Sequence, residues 1–209
     1  MARRPLGFTV WFSGISGSGK TTLAYLVATE LKSLGYENVE VLDEELAEKR
    51  LGKDLIPSQE RGESLTQKLG YLADLLSKNG TMVFVAAKAS KRAFRNEVRR
   101  RHHAPFFLVY VDQSPYEIFN SQYKQLNDLT EIKNFIYQIR LDYHDYEKPL
   151  KPEIYLPIKK VGIEMSVKMV LKKIENLLKI NHQNYNEKSE GSIRKNEDYT
   201  RKKGNLLVE

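Results

Sequence analysis

The chain contains no cysteine, which removes disulfides, thiolate metal ligands and cysteine nucleophiles together and fits a cytoplasmic protein. No hydrophobic run approaches the length of a membrane span, so no membrane partner is expected. Met1-Ala-Arg-Arg-Pro5 leads into a stretch punctuated by polar residues and not into a signal-peptide core, which gives the same expectation. Histidine is scarce. The adjacent His102 and His103 have no acidic or cysteine companions at ligand spacing, so neither is expected to bind metal. Internal repeats are absent. Against these absences, 209 residues with 41% hydrophobic content suffice for one domain with its own core. The formal charge of +7 suits an anionic partner without choosing between a nucleotide and a nucleic acid.

One stretch organises the rest. The apolar run Phe8-Thr-Val-Trp-Phe-Ser13 enters Gly14-Ile-Ser16-Gly17-Ser18-Gly19-Lys20-Thr21-Thr22, which fits the phosphate-loop pattern G-x-x-x-x-G-K-[ST] through Gly14, Gly19, Lys20 and Thr21. Glycines let successive N–H groups turn inward on phosphate oxygens, and the helix that follows aims its positive end at the same anion. Gly14 through Thr22, with Ser16, Gly17, Ser18 and Gly19 between, are therefore expected to cradle ATP. Lys20 is expected to reach the β- and γ-phosphates, and the Thr21 hydroxyl to sit on Mg²⁺.

Leu23, Leu26, Val27 and Leu31 have helical spacing, closed by Gly35. Val39–Leu42 reads as a second strand ending in Asp43-Glu44-Glu45, and the charge-dense 46–55 carries no element signal. A helix over 59–78 is expected to bury Leu65, Leu69, Leu72, Leu75 and Leu76. Thr81–Ala87 is an apolar strand ending at Lys88, followed by a basic helix capped by Ser90, and Phe106–Val111 is a fourth strand. Ser114-Pro115 opens a helix to about Leu126. The segment 127–152 reads as a lid or substrate loop with one short helix around 131–137. Glu153–Leu156 is a fifth strand, and a helix over 162–180 closes the domain with Met165 and Met169 in its core. Strands alternating with helices give an α/β fold, a P-loop NTPase sandwich with a parallel sheet of about five strands flanked by helices. The domain spans 1–180. Residues 181–209 form a polar tail, expected to be disordered, with six basic and five acidic side chains, so the domain keeps nearly all the positive charge.

The third strand ends in Lys88 and not in the Asp common beside such loops, which gives the acidic role to Asp43 and Glu45. Glu45 is expected to orient or deprotonate an acceptor hydroxyl or to hold Mg²⁺ through water, with Asp43 beside it and Glu44 pointing away; an acidic helix start is the plainer alternative. Arg92 and Arg95 lie three apart and can present two forks to one anion, or form a solvated basic face. Arg99–Arg101 with His102 and His103 are expected at an exposed helix end. No interleaved aromatic platform supports nucleic-acid binding there. Tyr143–Tyr146 is a candidate to close over the site.

From Gly7 to Ala24 the chain resembles the adenylylsulfate kinases, P-loop enzymes that phosphorylate the 3′-hydroxyl of adenylyl sulfate. The likeness continues through Val41-Leu-Asp43, Val85 to Arg92 and Arg95, Val109-Tyr-Val-Asp112, Lys124-Gln-Leu126, Glu131 to Phe135 and Tyr146-Glu147-Lys-Pro149. It covers about residues 5–180. The resemblance implies ATP and Mg²⁺ as cofactors, a small nucleotide acceptor, catalytic roles for Lys20, Asp43 and Glu45, metal contacts by Thr21 and Glu45, and a homodimer. It places Arg61, Lys68, Lys88, Arg92, Lys124 and Phe135 on the acceptor side.

The departures fall on that side. The family's Asp-Gly-Asp-x-x-Arg is Asp43-Glu44-Glu45-Leu-Ala-Glu48 here, its Gly-Phe-Ser is Ile56-Pro57-Ser58, and its Thr-Gly-Ile-Asp-Asp after the lid phenylalanine has no counterpart. The reading is a kinase acting on the 3′-hydroxyl of adenylyl sulfate. The alternatives are a relative with another nucleotide or metabolite as acceptor and a nucleotide-binding protein without phosphotransfer. The basic helix raises a further class, phosphorylation of nucleic-acid ends.

Overall fold

The computed structural model describes residues 6–51 and 59–179. Five strands form one all-parallel sheet: β1 (Phe8–Ser13), β2 (Val39–Asp43), β3 (Met82–Ala86), β4 (Phe106–Asp112) and β5 (Ile154–Pro157), in the order β2-β3-β1-β4-β5. Val10 pairs with Phe84 of β3 and Phe107 of β4, so the central strand is flanked on both sides and all six of its residues are buried. That is why it reads as a near-continuous apolar run.

Strand period sorts the side chains. Phe8, Val10 and Phe12 join the layer formed with α1 (Lys20–Ser33) and the closing helix α7 over 158–179, while Trp11 turns to α3 (Gln59–Ser77) and α4 (Arg92–Arg101). From β1 the chain passes to the β2–β3 side and later returns to β4 on the other. This reversal leaves a crevice at the carboxyl end of β1, where the glycine loop lies.

Four elements differ from expectation. Residues 44–51 are helix α2, which follows β2 without a linker because the Asp43 carboxylate accepts the Leu46 N–H at 3.0 Å and caps the turn. Residues 129–145 are one helix, α6, where a loop with a short helix was expected. Its start is fixed by Asp128, whose carboxylate accepts the N–H groups of Thr130 and Glu131, and Ile132, Phe135, Ile136 and Ile139 give it one inward face. Helix α5 (Pro115–Gln122) has the expected cap, a capping box between Ser114 and Glu117, but ends at Gln122 in a single 3₁₀ turn, 123–125. The closing helix starts at 158 and passes Gly162 at φ +73°.

Individual side chains also move. Leu75 and Met165 are exposed, and Ala73, Asp74 and Ser77 take the inner face of α3 instead. Lys91, not Ser90, is the N-cap of α4. His102 is no exposed helix end: its Nε2 lies 2.9 Å from Thr9 Oγ1 and 3.2 Å from Ser77 Oγ. Among the described residues no helix is long and apolar enough to cross a membrane. The expected disorder of 181–209 and the substitution at Ile56-Pro57-Ser58 fall outside the described residues.

Candidate active site

The loop between β1 and α1 takes its shape from Gly17 (φ +78°) and Gly19 (φ +94°), both in the left-handed region. Its floor is closed: Ser18 N–H donates to Ile15 O at 3.2 Å, and Lys20 folds back so that Nζ donates to the same carbonyl at 2.9 Å. Burial pulls the Lys20 ammonium down to about 8 against the opposing charge of Glu44, with Lys88 lowering it and Asp142 and Glu45 raising it.

At the start of α1, Thr21 Oγ1 donates to Asp43 Oδ2 at 2.7 Å. The Asp43 carboxylate thus caps α2 with one oxygen and holds the loop threonine with the other. Two hard oxygen ligands at the loop's edge suit Mg²⁺, which takes one or two protein ligands beside phosphates and water. No group of three acidic or histidine side chains that could cage a metal exists among the described residues.

On the other side of Lys20 the end of β3 turns past Lys88. Its N–H donates to Glu44 Oε2 at 2.6 Å, and its Nζ donates to Asp142 Oδ1 at 2.9 Å. Glu44 therefore faces the site, contrary to the expectation that it points away. Strand alternation stops at Asp43, and the helix that begins at once puts Glu44, Glu45 and Glu48 along one wall. Burial raises the Glu44 carboxyl above its ordinary value, although the Lys88 N–H and the ammoniums of Lys20 and Lys88 act against the rise. Asp142 goes the other way. Burial alone would raise it, but hydrogen bonds from Ser16 (side chain and main chain) and from Lys88 hold it low.

These groups open into one cavity of about 700 Å³. It brings together Ser16, Gly17, Gly19, Lys20, Thr21, Thr22, Asp43, Glu45, Lys88 and Phe135 of the expected site residues. Gly14 and Ser18 lie buried beneath the loop. Lys68 is half-buried on α3, and Lys124 is exposed in the 3₁₀ turn; neither lines the cavity. Arg92 lies outside as well, its Nε 3.4 Å from Glu147 Oε2 on the surface. Arg61 falls on α3, and its side chain is outside the described set. Among the wall residues that the sequence does not single out for the site are Glu44, Glu48, Gln122, Gln138, Ile139 and Asp142. For the α6 residues the missed signal was the apolar stripe from Ile132 to Ile139.

Asp142 takes the Ser16 N–H and the Lys88 ammonium, donors that a phosphate group also wants. Asp142→Asn keeps the shape and removes the competing charge. It is expected to tighten ATP binding about three- to tenfold, one charge-assisted hydrogen bond's worth, measured by titration calorimetry.

The adenylylsulphate kinase family model matches residues 6–157. An adenylyl-sulfate kinase of a Picosynechococcus species is 34% identical over 174 residues, covering 82% of this chain and 95% of its own. A probable adenylyl-sulfate kinase of Pyrococcus abyssi is 33% identical, covering 82% of this chain and 97% of its own. Among solved structures, the Mycobacterium tuberculosis APS kinase in complex with AMPPNP and APS superposes with a TM-score of 0.66 at 26% identity, covering 82% of this chain and 99% of that one. A hexameric APS kinase from Thiobacillus denitrificans gives a TM-score of 0.61 at 25% identity, covering 84% of this chain and 29% of that one.

Proposed function

The chain belongs to the adenylylsulfate kinase family, and from that footing we propose that it transfers the γ-phosphoryl group of ATP to the 3′-hydroxyl of adenylyl sulfate. The observation that carries the proposal is the convergence of Lys20, the Thr21–Asp43 pair, Glu45 and Lys88 on one cavity at the mouth of the glycine loop.

Each group has a task. Loop N–H groups hold the β- and γ-phosphates, and Lys20 leaves the Ile15 carbonyl to neutralise the oxygens between them. Thr21 and Asp43 would hold Mg²⁺, which when bound offsets the charge on the same two phosphates. Glu45 orients the acceptor hydroxyl and takes its proton as that oxygen bonds to the γ-phosphorus; the bond to the β-phosphate oxygen breaks and ADP leaves. Lys88, exchanged from Asp142, is placed to follow the charge of the group in transit. Phe135 offers a face to the acceptor's base, and Arg61 is a further cation carried from the family pattern. The kinase domain is proposed to span 1–180, in a cytoplasmic homodimer; sedimentation as a monomer would remove the dimer.

Incubation with ATP and adenylyl sulfate is expected to give equimolar ADP and 3′-phosphorylated product. Turnover with another hydroxyl nucleotide alone would replace the acceptor, and ATP binding without any phosphorylated product would leave a nucleotide-binding protein. Glu45→Gln is expected to lower kcat by about 10²–10⁴-fold, the range for a positioned general base, while the calorimetric Kd for ATP stays within about threefold. Equal losses in both would move Glu45 from the acceptor to the donor.

A further inference from the structure

Behind the cavity a second buried set of polar groups joins four segments of chain. Arg95 is only 3% exposed. Its guanidinium donates to the carbonyls of Ala89, of Ser90 at 3.0 Å and of Glu147, and lies 5.1 Å from the centre of the Tyr146 ring. Ser13 Oγ donates to Lys88 O at 2.7 Å and so accepts from the Tyr146 hydroxyl, 2.8 Å away. The main chain adds Glu147 N–H to Ser90 O at 2.9 Å and Arg92 N–H to Glu147 Oε2 at 3.0 Å.

The segments joined have meaning. Ser13 is the residue before the glycine loop, Lys88 lies two residues past the end of β3 beside it, Ala89 and Ser90 lead into α4, and Tyr146 with Glu147 is the chain leaving α6. The same helix carries Phe135, Ile139 and Asp142 into the outer wall of the cavity. A buried guanidinium satisfied largely by carbonyls is a poor way to gain stability, because its desolvation offsets what the hydrogen bonds return. It also holds Ala89 at φ +45°, a left-handed conformation that a residue with a Cβ resists. What the arrangement does achieve is a fixed point. The carboxyl end of α6 is tied to the strand ends that carry the loop, and Asp142 meets Ser16 one helical turn before that tie.

We infer that Arg95 and Tyr146 are positioning residues that anchor the carboxyl end of α6 to the ends of β1 and β3, and so hold Phe135, Ile139 and Asp142 of that helix in register with the glycine loop. Arg95 thus acts on the site through α6 and not as one of two forks for an anion. The kinetic part rests on the proposed phosphotransfer; the anchoring does not.

Tyr146→Phe tests this with the least disturbance. The ring keeps its stack on Tyr110, centroids 5.9 Å apart, and only the hydroxyl to Ser13 is lost. The expected result is a kcat about tenfold lower with KM for ATP within about twofold, because the α6 wall is displaced while the cradle is intact. Ser13→Ala, which also gives up the bond to Lys88 O, should be at least as slow, and the double variant should be no worse than Ser13→Ala alone. Arg95→Lys keeps the charge but cannot reach three carbonyls. With a non-hydrolysable ATP analogue bound, it should raise amide exchange across 129–145 at least tenfold while α1 stays protected. A merely structural role would lower Tm and leave kcat of the folded enzyme and the exchange of α6 unmoved, which overturns the inference. If the unaltered protein phosphorylates no acceptor, the proposed function fails, and the exchange measurement still decides the anchor.

Discussion

Replacement of Lys20 by methionine is expected to slow phosphoryl transfer on the order of 10³-fold, the scale for removing one preorganised charge from a developing anion. Lys20 is the cation at the base of the loop, with its Nζ parked on Ile15 O, 2.9 Å away, where no carboxylate has to be broken before phosphate is met. Its burial makes the effect steeper than for a surface lysine, because a charge in a low-dielectric pocket is felt more strongly by the phosphates. Lys20→Arg should not rescue it. The guanidinium is planar and bulky, and the pocket is shaped for a compact ammonium folded against its own loop.

The same burial gives the reaction a pH signature whose sign follows from the direction of the shift. In the nucleotide-free protein Lys20 loses its proton near pH 8, and phosphate requires the charged form. Below that pH the ammonium is already present. Above it ATP must bring a proton with it, so apparent affinity falls toward tenfold per pH unit. Calorimetry in buffers of different ionisation enthalpy should detect proton uptake on binding at pH 8.5 and little at pH 6.5. In Lys20→Met both the uptake and this slope should vanish.

Legibility in the sequence followed how local the determining physics is. The glycine loop was readable because its shape is set by its own residues, and the inner strands β1, β3 and β4 were readable because burial on both faces leaves apolar runs. Helix α6 was not. Prolines 149 and 152 and the mixture of Tyr, Asp and Lys pointed to a loop, although Asp128 and the Ile132–Ile139 stripe carried both a start signal and an inward face. Glu44 was misplaced for a different reason. Its direction depends on where β2 stops and α2 begins, and a shift of one residue at that junction turns the side chain from solvent to Lys88. Arg92 and Arg95 look equivalent in the sequence, yet one pairs with Glu147 at the surface and the other is buried against three carbonyls. What separates them is the chain returning from α6, fifty residues later, which no local pattern announces.

Gly14→Ala is expected to show how little slack the loop has. An ideal Cβ at Gly14 would lie 2.4 Å from Val111 O and 2.7 Å from Ser18 Oγ. The serine can turn, but Val111 is held in β4 by its pairing with Leu156 of β5, so its carbonyl gives little. The loop must therefore yield. If the strain is absorbed in place, overpacking of this kind costs about 1–3 kcal/mol, read as a lower Tm. If the loop lifts by about 1 Å instead, phosphate donors are misdirected and phosphotransfer falls by about 10²-fold with the fold intact. Gly19→Ala separates space from backbone. Nothing lies within 4 Å of a Cβ there, but φ is +94°, so its cost is conformational, about 1–2 kcal/mol. Measuring both variants by thermal unfolding and by ATP titration places each loss. A Gly14→Ala protein with unchanged Tm and unchanged ATP affinity would mean that β4 and the loop are not in the contact described.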